Sequence, residues 1–407
     1  MKKIISTLIL LILCLNIFAQ EEFDDFDSLF EDAGDISVEE VAPALTSVET
    51  NTENPSNQKN NSFFKPLTFS GYLEGEVGLA FLYNQKPDIT GYFDFLNDLY
   101  FSARASKNLA IKGTVRTELP DFGISLRELY FDYLIFDRIY ITAGKKTISW
   151  GYVRLFSNSD SYGDSTDLYG PLLTDIMTDT SGAILTQVQL PIFTGTINAV
   201  AFYKGSMKTT PSWKDFSLAG SIEMTLLNTS VNLFGRKYPS KEGNLSAQYK
   251  APILGLEMKR TILSTDFYVQ GQTSIKDFNK MNSFLGYEQF VVTGGFYRWW
   301  DNIIPKIGFN IEYQFIYMPN EIDSTAHRIA FAGGLGSLGK KKNMKIGLEW
   351  NHNVLAESGN VVLGFIVSGI LPHAEWKTGL ETTYGSLYTD RIPKIKFGST
   401  IKVQMNY

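Results

Sequence analysis

Five aspartates, Asp160, Asp164, Asp167, Asp175 and Asp179, fall between Trp150 and Ser181, and Arg154 is the one guanidinium in that stretch. Carboxylates at this density suit two kinds of chemistry. In a confined aqueous space they set up a negative potential that favours cations. In an open loop they are solvated, or they ligate calcium. The other reactive residue types are sparse. His327, His352 and His373 lie far apart with no metal-ligand spacing, so no metal site is expected. Ser324 and His327 are too unspecific a pair to assign a hydrolase, and no catalytic residue or enzymatic activity is expected. Gly334-Leu335-Gly336-Ser337-Leu338-Gly339 spells a dinucleotide fingerprint, yet it lies between two alternating runs and opens no helix. Without amides at a helix N-terminus there is no phosphate cradle, and no cofactor is expected.

The aspartate stretch interrupts a chain with a period of two. Ile307, Phe309, Ile311, Tyr313, Phe315 and Tyr317 alternate with Gly308, Asn310, Glu312 and Gln314; Met344, Ile346, Leu348 and Trp350 alternate with Lys345, Gly347, Glu349 and Asn351. Leu67, Phe69, Leu73, Val77, Leu79 and Phe81 oppose Thr68, Ser70, Tyr72, Glu74 and Glu76. One continuously apolar face and one charged face, at about ten residues per strand, match tilted membrane strands. Alternation alone does not say which face is inside.

The two ends of the chain bear on that choice. Met1-Lys2-Lys3 followed by the apolar stretch Ile4 to Phe18 and by Ala19-Gln20 reads as an export signal, residues 1–19. Its removal takes away Cys14, the only cysteine, and with it any disulfide or thiolate site. Residues 20–62 form an acidic segment: 21–62 hold 12 acidic residues and one Lys59. Such a composition buries too little apolar surface to fold, so a disordered periplasmic segment is expected. Within it Phe23, Phe26, Leu29 and Phe30 stand among Asp24, Asp25, Asp27, Glu31 and Asp32, either a solvated tail or an amphipathic docking peptide. Residues 63–407 then carry 31 acidic and 34 basic residues, so the acidity belongs to the tail and indicates no nucleic-acid partner.

At the other end Ile401, Val403, Met405 and Tyr407 form an apolar stripe closed by an aromatic. This resembles the assembly signal that outer-membrane β-barrels present to their assembly machinery, and implies the outer membrane as compartment. Aromatics, with 21 Tyr and 29 Phe, suit two interfacial girdles. Leu126-Arg127-Glu128-Leu129-Tyr130, followed by Gly144-Lys145 and, at the end of that strand, Trp150-Gly151, is similar to a recurring signature of porin-like outer-membrane proteins. The resemblance covers about 35 residues and supports a family without naming a substrate.

The fold expected is all-β: residues 63–407 as a transmembrane antiparallel barrel of about 18 strands, with 16 as the alternative. Short connections near Lys107, Asp137, Ile192 and Asn228 should alternate strictly with longer ones at 84–91, 119–124, 150–181, 204–214 and 237–243. Ala251-Pro252 is the turn that would alter the count. The stretch 150–181 becomes the third outer loop, which in general porins folds inward. Parity assigns Glu74, Glu76, Asp98, Arg104, Lys112, Arg116, Glu128, Asp132 and Lys146 to the lumen wall, with Arg104, Lys112 and Arg116 as a basic ladder opposite the acidic loop. The leading expectation is a porin passing small hydrophilic solutes or ions, with a preference for cations. Alternatives are a transporter of hydrophobic substrates, since Val362 and Ile366 would face the lumen, and a surface adhesin or structural barrel. Partners expected are membrane lipid, the assembly machinery and the solutes; porin likeness also brings in homo-oligomers, although no residue here marks a subunit interface.

Overall fold

The computed structural model describes residues 67–84, 86–120, 122–146, 148, 151–156, 183–205, 210–246, 250–281, 283, 286–319, 325–370, 373–385 and 395–406. Trp150, the five loop aspartates, Tyr407 and the segments 1–19 and 20–62 lie outside them. The described residues form β1 (Thr68–Asn84), β2 (Lys86–Ser106), β3 (Leu109–Leu119), β4 (Gly123–Ile135), β5 (Ile139–Lys145), β6 (Ile184–Ile192), β7 (Gly195–Tyr203), β8 (Ser217–Leu226) and β9 (Thr229–Lys237). They continue with β10 (Ile253–Ile262), β11 (Thr265–Ile275), β12 (Tyr287–Trp300), β13 (Lys306–Tyr317), β14 (Thr325–Leu338), β15 (Met344–Asn353), β16 (Ser358–Ser368), β17 (Ala374–Tyr384) and β18 (Ile395–Asn406).

Every strand pairs antiparallel with its sequence neighbours, and β18 pairs with β1 from Ser70↔Asn406 to Phe81↔Ile395. Closure leaves the sheet no open edge. In hydrocarbon each unpaired backbone group would cost several kcal/mol, so a closed ladder is what permits strands to span a bilayer. The 18-strand expectation holds. Ala251-Pro252 ends the connection 238–252 and leads directly into β10, adding no turn.

The closed sheet also decides which face is which. Along β13 Asn310, Glu312 and Gln314 are fully buried, while Tyr313 between them is 45% exposed. Leu254, Leu256 and Met258 on β10 are exposed, and Glu257 is buried. The polar stripe faces inward and the apolar stripe outward, the reverse of a soluble sandwich.

Two connections differ from expectation. In place of a long loop at 84–91, β1 and β2 close across residue 85 with Asn84↔Lys86 and Tyr83↔Pro87 in register. Polar residues and proline read as loop, yet at a hairpin tip proline is tolerated because it needs no ladder donor there. Likewise 120–122 is a tight connection between β3 and β4. The long connections therefore begin only with 146–183, which joins β5 to β6, and the alternation is not strict after it, since 354–357 between β15 and β16 is shorter than 339–343 at the other end. At the opposite end the connections 107–108, 136–138, 193–194, 227–228, 263–264, 301–305, 339–343 and 369–373 are uniformly short. The chain enters β1 and leaves β18 at this short-turn end. Gly334 to Leu338 lie within β14, and Gly339 opens the following turn with φ 76°, so no helix supports the dinucleotide fingerprint.

Candidate functional site

Two strands of the sequence signature are direct partners: Leu129↔Lys145 and Tyr130↔Gly144 join β4 to β5. Gly144 has φ 134°, and a Cβ there would stand 2.3 Å from the Leu129 carbonyl oxygen and 2.6 Å from Tyr130 Cα. Only glycine meets both demands. Lys145 Nζ donates to the Leu126 carbonyl, and Lys146 Nζ lies 4.5 Å above the Tyr130 ring. From here the chain turns inward.

Gly151, with φ 125°, brings the backbone against Glu257 of β10. The N–H of Tyr152 donates to Glu257 Oε1 at 3.3 Å, and its hydroxyl donates to Glu223 Oε1 of β8 at 2.5 Å. Two residues on, the N–H of Arg154 donates to Glu312 Oε1 of β13 at 2.6 Å, and that of Phe156 to Oε2 at 3.0 Å. One carboxylate thus caps two donors of an extended chain that has no strand to pair with, and a bond to a charged acceptor is worth about 1.5–3 kcal/mol. These carboxylates are positioned in turn. Asn232 Nδ2 donates to Glu257 Oε2 at 3.0 Å, and Tyr268 Oη lies 2.6 Å from Glu312 Oε1 and 2.7 Å from Asn310 Oδ1.

Apolar packing completes the seat. Val153 and Phe156 pack with Ala330, while Tyr152 and Leu155 pack against Tyr268, Tyr297, Ala332, Val362 and Ile366. The inward positions of β14 are Ala326, Arg328, Ala330, Ala332 and Gly334, small except for one arginine, which leaves room for the crossing chain. Arg328 rests 5.4 Å from the Phe156 ring, and Arg154 sits 4.4 Å over Tyr297. Residues 151–156 therefore run inside the barrel against the wall formed by β8 to β16.

The wall candidates gather on the other side, on β1 to β5. Arg116 grips Asp98 through Nε at 2.8 Å and Nη2 at 2.7 Å, and Tyr72 donates to the same carboxylate at 2.8 Å. Lys112 pairs with Asp132 at 3.1 Å, which also accepts from Thr142 at 2.7 Å. Glu74 lies 4.0 Å from Lys402, whose Nζ is 4.2 Å above Tyr72. Glu76 is buried opposite Asp94 and Thr400; Glu128 faces Thr114, and Arg104 faces Ala110. The basic ladder is thus tied to wall carboxylates at Lys112 and Arg116. Ile401 is exposed on the outward face of β18, and Val403 pairs with Leu73.

Sequence reasoning missed Glu223, Glu257, Glu312, Tyr268, Asn232 and Arg328. A lone carboxylate between uncharged inward residues, as in Gly308, Asn310, Glu312 and Gln314, was the available signal.

No protein-family model matches the sequence, and no curated protein does. Solved structures do. Pseudomonas aeruginosa OpdK, solved with vanillate, superposes with TM-score 0.51 at 9% identity over 84% of this chain and 99% of that one. Pseudomonas aeruginosa OccK8 (OprE) gives 0.53 at 7% identity over 84% and 98%. The fold is that of the outer-membrane porins. At such identities the porin fold is what the two chains share.

Proposed function

We propose that the protein is a porin-like outer-membrane channel through which small hydrophilic solutes or ions diffuse passively, without catalysis, and that it prefers cations. The observation that carries this reading is the chain at 151–156, fastened inside the barrel by Glu257 and Glu312 across from a wall of paired charges on β1 to β5. A segment so fastened narrows an aqueous passage, and its continuation holds Asp160, Asp164, Asp167, Asp175 and Asp179. Five carboxylates in that position would raise the local cation concentration. The apolar inward residues Val362 and Ile366, which favour a hydrophobic-substrate transporter, are instead accounted for as part of the seat for Tyr152 and Leu155.

The test is single-channel recording of the mature chain in a planar bilayer under a salt gradient, beside a variant with the five aspartates changed to asparagine. Stable openings with a cation-selective reversal potential, lost in the variant, support the reading. A barrel that never conducts refutes it, and unchanged selectivity in the variant refutes the role of the loop.

A further inference from the structure

The short-turn end carries an apolar feature that neither lipid contact by the strands nor a conducting lumen requires. At the tips of four successive turns stand Phe136, Phe193, Leu227 and Leu263, each more than four-fifths exposed, and Ile304 continues the row in the next. Three of these tips adopt left-handed backbone: Phe136 φ 52°, Leu227 φ 49° and Leu263 φ 51°. The second residues are left-handed too, Asp137, Asn228 and Ser264, as in type I′ hairpins. Asparagine and glycine fit the first position of such turns, and a bulky side chain there is an outlier. Keeping Phe or Leu at a strained, exposed tip three times over points to a use for apolar surface at that place.

The turns that flank this arc are basic. Lys107 and Lys340 to Lys342 lie there, and Arg138 stands beside Phe136; against them the turns hold Asp137 and Asp301. The chain enters β1 at this same end. Upstream of the strand, the chain holds one short stretch whose chemistry is the complement: Phe23, Phe26, Leu29 and Phe30, spaced three and four apart, among Asp24, Asp25, Asp27, Glu31 and Asp32. The 34 residues from 33 to 66 reach roughly 30–35 Å as a flexible coil and about 110 Å fully extended, so the arc lies within tether range.

We propose that this arc of turn tips is the docking surface for residues 23–30 of the same chain, the phenylalanines and leucine covering neighbouring tips while the acidic residues face the basic residues of the nearest turns. A tethered site of this kind gains from high effective concentration and needs little intrinsic affinity.

Disulfide mapping in the full mature chain, which keeps no native thiol once residues 1–19 are removed, tests the docking. Phe26→Cys is combined in turn with Phe193→Cys, Leu227→Cys or Leu263→Cys, and with Phe122→Cys at the opposite end as the reference, and each is oxidised in lipid vesicles. At least one rim position should cross-link within the chain about fivefold or more above the reference. Adding Phe23→Ser and Phe30→Ser, which leaves tether and charge intact, should cut that yield by about tenfold. Yields that ignore the serine changes mean proximity without docking and overturn the proposal. So do cross-links that form only between differently tagged copies, which would make a second copy the occupant. A fluorophore on Leu227→Cys supplies the other arm. Quenching by brominated phospholipid that is unchanged when residues 20–62 are deleted would place the tips in the membrane interface and sink the idea; quenching or water exposure that rises on deletion supports it.

Discussion

Arg154 meets Glu312 through its backbone. The Arg154 backbone nitrogen lies 2.6 Å from Glu312 Oε1, while the guanidinium stacks 4.4 Å over Tyr297. The carboxylate therefore fastens the chain itself, and the arginine side chain is held by a ring.

Removing that carboxylate should release the crossing segment without unfolding the barrel. Glu312→Ala strips the acceptor from two N–H groups, each worth about 1.5–3 kcal/mol against a charged partner. Single-channel recordings should show larger, flickering conductance, while heat-modifiability on gels stays that of the parent. Glu312→Gln retains one good acceptor and should fall between the two.

The grip of Arg116 on Asp98 makes an opposite-sign pair of tests. Asp98→Asn leaves a wall cation less compensated and should lower the cation-to-anion permeability ratio; Arg116→Gln should raise it. Each substitution changes the wall by one unit charge, so shifts of roughly 1.5- to 5-fold are expected. Reversal potentials in a salt gradient check both, and raising the salt should shrink them.

On the outward face the cost of a charge should depend on depth. Leu233, near the middle of β9 and more than half exposed, should cost about 2–4 kcal/mol when changed to lysine, whereas Leu226 at the end of β8 should cost about 0–1 kcal/mol. Urea titration of folding into vesicles measures the difference.

Two of the long connections are clasped to each other, and acid should open the clasp. Asp215, in the short helical turn Trp213–Asp215, accepts from the Ser212 N–H at 2.9 Å, the Leu245 N–H at 3.0 Å, Ser212 Oγ at 3.0 Å and Asn244 Nδ2 at 3.3 Å. These bonds, the one from Ser212 foremost, hold its carboxyl below the ordinary aspartate value. A depressed pKa contributes stability that is complete above the unfolded value of about 3.9 and is lost as pH falls through the folded one. Protease sensitivity of the connection 238–252 should rise below about pH 4. Asp215→Asn should show that sensitivity at neutral pH. Gly243→Ala should do likewise, because a Cβ there would sit 2.5 Å from Asp215 Oδ1.

Much of this was legible one strand at a time. Alternation such as Ile307 to Tyr317 placed strands and both faces, because a period of two is a local property of the pleat. The inward position of Val362 and Ile366 followed from parity alone. The β1–β2 hairpin was misread, since Asn84, Lys86, Pro87 and Asp88 are loop formers wherever the partner strand is not known. Glu223, Glu257 and Glu312 were beyond reach for a different reason. Their partners lie 71, 105, 156 and 158 residues away in sequence, and no local pattern records which carboxylate an unpaired stretch of backbone will find.

Those same separations order the events of assembly. The amides of Arg154 and Phe156 exchange water for the Glu312 carboxylate only once β13 is in place, however early β5 has formed. The final lodging of 151–156 belongs to the last stage of folding, when the sheet has curved enough to bring β13 round to it. A chain stopped short of Glu312 would keep Glu223 and Glu257 for Tyr152 and lose the one carboxylate that holds Arg154 and Phe156, so the far half of the crossing segment is decided by residues that come late in the chain.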